Sequence, residues 1–193
     1  MQFAAGQRYA LLGPNGSGKT TLLRVLAGRV AVDSGEARCQ GVSFKISTPR
    51  SRPDIRYLTQ HFSCYVDLTI RENLEFSASL RGVVEPSSAI ERVLDELDLR
   101  EVQARLAGAL SGGVKQRLML ATVLIGNPQI LLLDEPTAAL DRESRRQLWQ
   151  ILDHRRSSVT TVVMTTHLDS DAAYCDVTAH LQGGRVVPQD LPR

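Results

Sequence analysis

The feature that most constrains the fold is a glycine-rich loop between two apolar runs, in the stretch Leu11–Arg24, LLGPNGSGKTTLLR. The loop fits the pattern G-x-x-x-x-G-K-[ST] through Gly13, Gly18, Lys19 and Thr20. Because glycine lacks a Cβ, the backbone can turn sharply there and bring its N–H groups close to a ligand. The apolar run RYALL before the loop predicts a buried strand, and TTLLRVLAG after it predicts a helix. The sequence therefore predicts a strand–loop–helix unit.

We expect the start of the predicted helix to bind phosphate groups, because its first N–H groups are unpaired and its dipole favours negative charge. Lys19 is expected to reach the β- and γ-phosphates of a nucleotide, and the Thr20 hydroxyl is expected to bind Mg²⁺. A glycine-rich turn without a ligand is the alternative, which the complete motif between a strand and a helix disfavours. The predicted nucleotide-binding residues of the loop are Gly13, Pro14, Asn15, Gly16, Ser17, Gly18, Lys19, Thr20 and Thr21.

Composition limits the class of protein. With 193 residues, of which 42% are hydrophobic, the chain is long enough for one large domain or for a core with a subdomain. A net charge of +2 does not indicate a dedicated nucleic-acid-binding protein. No apolar run approaches the ~18 residues that a membrane-spanning helix needs, and no signal-peptide pattern opens the chain. We therefore expect a soluble protein that reaches a membrane only through a partner.

Apolar runs typical of strands alternate with helical patterns along much of the chain. The strand candidates are RYALL, IRYLT, ILLL and VTTVVMT. Runs that are apolar throughout are typical of parallel strands buried on both faces. Strands separated by helices predict an α/β fold with a mostly parallel sheet.

The middle of the chain is largely helical instead. Two capping boxes, Thr69 with Glu72 and Ser88 with Glu91, predict helix starts there. We expect a helical subdomain at residues 69–125, inserted into a core formed by the flanking residues 1–68 and 126–193. The alternative is that these helices only cover one face of the sheet.

An acidic pair follows the apolar run ILLL, where Asp134 and Glu135 come at the end of the predicted strand. Ligands of open α/β sheets bind beyond the carboxyl ends of the strands, so we expect this pair to lie near the phosphate loop. Asp134 is suited to hold Mg²⁺ through water beside Thr20, and Glu135 can polarise the water that attacks the γ-phosphate. The alternative is a solvated acidic turn.

The segment LSGGVKQR, Leu110–Arg117, resembles the signature of the ATP-binding-cassette (ABC) ATPases. The order of motifs is also similar to that family: the phosphate loop, Gln60, the signature, LLLDEP, AALD and His167. The resemblance implies a P-loop NTPase fold with an ABC-ATPase core, ATP and Mg²⁺ as ligands, and ATP hydrolysis coupled to transport.

The resemblance also implies a head-to-tail dimer in which the signature of one subunit closes over the γ-phosphate held by the other. The signature residues expected to do so are Ser111, Gly112 and Gly113. Asp141 of AALD would line the dimer interface near the opposite site. A helix N-cap remains an alternative role for Ser111, with its glycines allowing close helix packing, and an N-cap role for Asp141 can coexist with the interface.

Two polar residues at strand ends gain roles from the same resemblance. Gln60 is expected at Mg²⁺ and the attacking water, and it would link the sheet to the helical subdomain. His167 is expected to contact the γ-phosphate and to position water with Glu135. The residues alone would identify only an ordinary polar side chain and a capping histidine.

The segment IRYLTQHFSCYVDLTIRENLEFSASLRGV, residues 55–83, resembles ATPases of exporters for drugs, polysaccharides and similar hydrophobic cargo. The signature continues as Lys115–Leu118 and carries Val114, which is also in keeping with that branch. The resemblance implies a membrane permease partner at the cytoplasmic face of the plasma membrane, a second ABC ATPase domain and no nucleic acid. Phe62 and Tyr65 are expected to contact a permease helix or, alternatively, to pack under the helical subdomain.

Two rival functions remain open: a soluble ABC ATPase acting on ribosomes or DNA, and a nucleotide-binding module with impaired hydrolysis. The family also carries strands ahead of the phosphate loop, with an aromatic residue that stacks on adenine. Here only MQFAAGQRY and three more residues precede Gly13, and Tyr9 lies in the predicted strand, wrongly placed for stacking. We therefore expect the upstream strands to be missing and ATP binding to be weaker than in an extended chain, with the phosphate chemistry unchanged.

Overall fold

A computed structural model describes the chain in six ranges: 1–39, 42–43, 54–61, 63–138, 140–155 and 161–187. The chain divides into two compact units. The first unit comprises Met1–Gln60, Gln129–Ala138 and Val159–Arg193. The second comprises His61–Pro128 and Ala139–Ser158.

The strands of the described residues all belong to the first unit. In chain order they are β1 (Arg8–Leu12), β2 (Arg38–Cys39), β3 (Val42–Ser43), β4 (Ile55–Leu58), β5 (Ile130–Asp134), β6 (Thr161–Thr166), β7 (Val177–Gln182) and β8 (Arg185–Val187). Six of them form one sheet in the order β4-β5-β6-β1-β7-β8, and β2 pairs with β3 in a separate antiparallel ribbon. Within the large sheet only the β7–β8 pair is antiparallel. The predicted α/β class with a mostly parallel sheet is confirmed.

The α-helices of the described residues are likewise numbered in chain order. They are α1 (Lys19–Leu26), α2 (Ile70–Leu80), α3 (Pro86–Glu96), α4 (Gly112–Leu124), α5 (Arg142–His154) and α6 (Asp169–Ala172). Among these helices, none combines the length and the apolar composition that crossing a bilayer requires.

The core of the first unit forms around β1, which is buried along its whole length and carries hydrophobic side chains on both faces from Tyr9 to Leu12. Tyr9 and Leu11 of β1 cluster with Leu132, with Val163 and with Leu23 of α1. The helix therefore packs on the strands that flank the phosphate loop, and α1 contacts both β5 and β6. This packing fixes where the start of α1 lies relative to the carboxyl ends of those strands.

In the second unit, α2 packs against α3 and α4. The capping box at Thr69 is present: its hydroxyl accepts from the N–H of Glu72, and the Glu72 side chain accepts from the N–H of Thr69. The box expected at Ser88 is wrong, because α3 already begins at Pro86, a residue preorganised for the first helical position.

The predicted bounds of the helical subdomain, 69–125, differ from those of the second unit. That unit extends beyond both bounds and includes α5, which we expected in the catalytic core. The predicted domain division therefore stays a prediction.

Candidate nucleotide-binding and hydrolysis site

The phosphate loop leaves β1 at Leu12 and enters α1 at Lys19, as predicted. Gly13 is required by its neighbours, because a Cβ there would lie 2.3 Å from the carbonyl oxygen of Leu181 and 2.8 Å from Ser17 Oγ. Gly18 has a φ of 99° at the helix start, in the left-handed region that favours glycine. The loop conformation therefore depends on glycine at both positions.

The start of α1 presents groups that fit a bound anion. Gly18 supplies no side-chain cap, and no acidic residue lies in the first turn. Lys19 is only 5% exposed, and its Nζ donates to the carbonyl oxygens of Gly13 at 2.7 Å and Pro14 at 3.1 Å. The buried Ser17 Oγ has no hydrogen-bond partner among the described residues. Unpaired N–H groups, an ammonium and an orphaned hydroxyl are what phosphate oxygens bind.

Asp134 ends β5 and is only 3% exposed. Its Oδ1 accepts from Thr20 Oγ1 at 3.0 Å and from Thr165 Oγ1 at 2.7 Å, and its Oδ2 accepts from the Tyr57 hydroxyl at 2.9 Å. Three hydroxyl donors compensate the burial of the carboxylate. Tyr57 keeps its proton for this bond at neutral pH, because burial, reinforced by Asp134, raises the pKa of Tyr57 to about 12.

The Thr20–Asp134 pair also fits Mg²⁺. A hydroxyl oxygen and a carboxylate oxygen 3.0 Å apart are both ligands of the kind that this ion prefers. They lie at the start of α1 and the end of β5, where the predicted phosphate site and the acidic pair meet. The residues present therefore fit the ion that the sequence implies.

Glu135 follows Asp134 with a φ of 49°, a conformation that residues other than glycine rarely adopt and that is enriched at functional sites. Its N–H donates to the carbonyl oxygen of Thr165 at 3.2 Å and to that residue's Oγ1 at 3.0 Å. The adjacent strand β6 thus holds the unusual backbone in place. The Glu135 side chain is 16% exposed, so its carboxylate is partly withdrawn from water.

The structure brings Gln60 and His167 to the same carboxylate. Gln60 Nε2 donates to Glu135 Oε2 at 3.1 Å, and His167 Nδ1 lies 3.9 Å from the same oxygen. The His167 side chain is half exposed. The three residues expected to be catalytic are therefore neighbours at the strand ends of β4, β5 and β6, and their catalytic roles stay predictions.

The signature residues lie in the second unit, at the start of α4. Ser111 is the N-cap residue, but its side chain makes no capping hydrogen bond. A Cβ on Gly112 would meet none of the described atoms within 4 Å, and one on Gly113 would meet only Ser144 Oγ, at 3.8 Å. Capping and close helix packing within the described chain therefore do not explain this Ser-Gly-Gly sequence.

Asp141 caps α5, because its carboxylate accepts from the N–H of Ser144 at 2.8 Å. This bond lowers the pKa of the Asp141 carboxyl. Its expected interface role stays a prediction. Phe62 lies outside the described residues, whereas Tyr65 is 54% exposed.

Sequence reasoning missed several polar residues of the site. Tyr57 and Thr165 both donate to Asp134, and each stands inside a run that reads as an apolar strand. The signal available in the sequence was a hydroxyl group at each position within an otherwise apolar run. Their shared target depends on the order of the strands, which the local pattern does not give.

The comparisons with known proteins agree with this geometry. A family model described as "ABC transporter" matches residues 1–138. The chain is 35% identical, over 97% of its length, to the probable multidrug ABC transporter ATP-binding protein YbhF of Escherichia coli (strain K12), of which the match covers 33%. It is 37% identical, over 99% of its length, to the sulfate/thiosulfate import ATP-binding protein CysA of Nocardia farcinica (strain IFM 10152), of which the match covers 60%. The chain thus spans a third to three fifths of these relatives.

A solved structure gives the same result for the fold. It is the dimeric structure of a post-hydrolysis state of the ATP-binding cassette MJ0796 bound to ADP and Pi. The TM-score is 0.86 at 27% sequence identity, with 96% of this chain and 85% of that chain covered. The chain therefore belongs to the ABC transporter family and has the α/β fold of its ATPases.

Proposed function

We propose that this chain binds ATP with Mg²⁺ and hydrolyses it to drive transport through a membrane permease. The observation that carries the proposal is the meeting of the phosphate loop, the Thr20–Asp134 pair and the Gln60–Glu135–His167 group within one compact unit. The ABC transporter match and the neighbour bound to ADP and Pi support ATPase activity.

In this proposal the start of α1 and Lys19 bind the phosphate chain, while Thr20, Asp134 and Gln60 would hold Mg²⁺. When bound, the ion neutralises charge on the phosphate oxygens. Glu135 accepts a proton from the attacking water, an assistance worth about 10²–10⁴-fold in rate. His167 lies beside Glu135 Oε2 and orients that water and the γ-phosphate.

The test is Glu135→Gln. We expect this variant to bind ATP, to lose turnover and to accumulate as an ATP-bound dimer, because the phosphate loop is untouched while the base is gone. ATP binding, phosphate release and mass by light scattering are measured, and Glu101→Gln, an exposed glutamate of the second unit, is the control. Parental turnover in Glu135→Gln would contradict the proposed role.

The dimer is the second part of the proposal. Three observations support it. The Ser111 hydroxyl makes no capping hydrogen bond, and a Cβ on Gly112 or Gly113 would come no closer than 3.8 Å to the other described atoms. The similar solved structure is a dimer. We infer that this segment faces the γ-phosphate held by a partner cassette, identical or different. Ser111→Ala should then weaken ATP-dependent dimerisation of Glu135→Gln without changing monomer affinity for ATP.

The permease partner is supported by an exposed apolar surface of the second unit. Tyr65, Phe76 and Leu80 are 54%, 42% and 73% exposed, and the rings of Tyr65 and Phe76 meet edge to face at 4.9 Å. Adjacent exposed apolar side chains mark interaction sites. Buried Asn73 holds the loop beneath them, since it accepts from the N–H of Tyr65 at 2.8 Å and donates to that residue's carbonyl oxygen at 3.0 Å.

Recovery of the chain with the membrane fraction tests this surface. Tyr65→Ser with Phe76→Ser should reduce recovery and leave ATP binding unchanged, whereas Val84→Ser, at a residue that is 86% exposed in the connection between α2 and α3, is the control. Equal recovery of all three proteins would contradict the assignment. We place the chain at the cytoplasmic face of the membrane, held there by its permease.

Export is the direction that we propose, on the likeness of residues 55–83 to exporter ATPases. The relatives include the ATP-binding proteins of a probable multidrug transporter and of a sulfate/thiosulfate importer. Import is therefore the second candidate, and the 37% identity to CysA favours it. Gene deletion distinguishes the two. Loss of an exporter should sensitise cells to hydrophobic toxic compounds, whereas loss of an importer should slow growth on a limiting nutrient.

A further inference from the structure

A carboxylate that the proposed mechanism does not use is completely buried in the first unit. Asp171, in α6, has 0% exposure. Its Oδ2 accepts from Thr137 Oγ1 at 2.5 Å and from Thr166 Oγ1 at 2.9 Å. Both threonines are buried as well, at 1% and 2% exposure. Because burial of a charged group is unfavourable unless it is hydrogen-bonded, this site is built around the two hydroxyls.

The two threonines belong to the two segments that carry the proposed catalytic pair. Thr137 stands two residues after Glu135, in a turn closed by the bond from Ala138 N–H to the Glu135 carbonyl oxygen at 3.2 Å. Thr166 is the last residue of β6 and directly precedes His167. One carboxylate oxygen therefore joins the segment of Glu135 to that of His167.

The position of this bridge matters because the strand pairing has ended. The β5–β6 ladder ends with the pair Asp134–Thr165, and Glu135 N–H still reaches the Thr165 carbonyl oxygen. Beyond that point, Asp171 joins the diverging segments. Thr166 Oγ1 also accepts from Leu168 N–H at 3.0 Å, which holds the chain on the far side of His167.

We propose that Asp171 is a positioning residue for ATP hydrolysis, which fixes the separation of Glu135 and His167 by bridging Thr137 and Thr166. The inference rests on the roles proposed above for Glu135 and His167. It adds that their 3.9 Å approach is set by Asp171, a group that is itself completely buried. Misplacement of reacting groups by about 1 Å can slow an enzyme by about 10²-fold.

A purely structural role predicts a different result. Loss of a buried hydrogen bond would then lower the melting temperature and ATP affinity together, with turnover following the fraction of folded protein. A positioning role lowers kcat in the folded protein and leaves ATP affinity near parental. The bonds from Asp171 hold the segments of Glu135 and His167, whereas Lys19 is held by the carbonyl oxygens of Gly13 and Pro14.

The experiment compares two matched pairs of variants. Asp171→Asn replaces the carboxylate by an isosteric amide, and Asp169→Asn makes the same change at an exposed position of α6. Thr137→Val removes the hydroxyl at constant shape, whereas Thr137→Ser keeps it. Turnover of ATP, affinity for fluorescent ATP and melting temperature are measured for each.

We expect Asp171→Asn and Thr137→Val to lower kcat by about tenfold or more, as misplacement of reacting groups predicts, with ATP affinity within about threefold of the parent. Thr137→Ser and Asp169→Asn should keep the parental kcat. If Asp171→Asn fails to fold, the comparison of kcat between Thr137→Val and Thr137→Ser tests the inference. Equal kcat in Thr137→Val and Thr137→Ser overturns the inference, as does a joint fall of kcat, affinity and melting temperature.

Glu135→Gln separates failure of the inference from failure of the proposed function. If Glu135→Gln retains parental turnover, the catalytic role proposed for Glu135 fails and the inference falls with it. If Glu135→Gln is inactive but Thr137→Val matches Thr137→Ser in kcat, only the positioning role is wrong.

Discussion

The proposed site in the first unit and an ion-pair network in the second unit differ in how deeply their charged side chains are buried. In the first unit Lys19, Asp134 and Asp171 are at most 5% exposed, and each is hydrogen-bonded. In the second unit a network joins Arg71 and Arg100 through Glu91, with the three side chains 35–45% exposed. Buried polar networks rigidify a site, whereas exposed pairs contribute little. The proposed site in the first unit is therefore built on buried charges, whereas the network around Glu91 in the second unit is exposed to solvent.

Lys19→Ala should cause the largest effect, because it removes the buried cation at the start of α1. We expect ATP affinity to fall by about a hundredfold, since hydrogen bonds to charged groups contribute about 1.5–3 kcal/mol and about 1.4 kcal/mol is a factor of ten. A fluorescent-ATP titration measures the change. Arg146→Ala, at an exposed cation of α5, is the control, and equal affinities would contradict the assigned anion site.

Tyr57→Phe should have an intermediate effect that is specific to Mg²⁺. It removes one hydroxyl donor from Asp134 and keeps the ring, over which the Arg29 guanidinium lies at 4.9 Å. Loss of a group that orients a metal ligand typically weakens metal binding by about 10–100-fold. We expect a raised Mg²⁺ requirement for tight ATP binding, measured by calorimetry over a Mg²⁺ series.

Tyr9→Phe is the matched control for that experiment. Tyr9 is also buried, at 4% exposure, and its hydroxyl donates to Gln7 Oε1 at 2.8 Å, away from Asp134. The same chemical change there should leave the Mg²⁺ dependence at the parental value. Identical Mg²⁺ curves for both variants would show that Tyr57 does not act through Asp134.

Mild acid should have the smallest effect, and it should act on the second unit. Four carboxyls there have lowered pKa values because N–H groups or arginines hydrogen-bond to them: Glu72, Glu91, Asp95 and Asp141. Since their folded pKa values lie below the ordinary 4.5 of glutamate and 3.8 of aspartate, their contribution is complete above those values. It is lost as the pH falls through the folded pKa values.

We therefore expect the melting temperature to fall modestly below about pH 4.5, and less at high salt, which screens exposed pairs. Thermal unfolding across pH 3–7 at two salt concentrations measures this. A melting temperature that rises on acidification would contradict the sign.

The sequence predicted the parts of the site that local chemistry determines. The strand–loop–helix unit follows from the glycines and Lys19, and the acidic pair from its place after an apolar strand. Tyr57, Thr165 and Asp171 were missed because each has its hydrogen-bond partner on a different element of the fold. The error at Ser88 was local, since Pro86 determines the helix start. The bounds of the subdomain depend on packing across the chain, which no local pattern reports.

The contact between Gly13 and β7 has a consequence for interpreting natural variation. The carbonyl oxygen of Leu181 lies where a side chain on Gly13 would begin, so β7 forms the back wall of the phosphate loop. We expect a substitution in β7 that displaces this backbone, such as one to proline, to alter nucleotide binding. Variants in residues 177–182 should therefore be interpreted together with variants of the phosphate loop, although most of the chain separates the two segments in sequence.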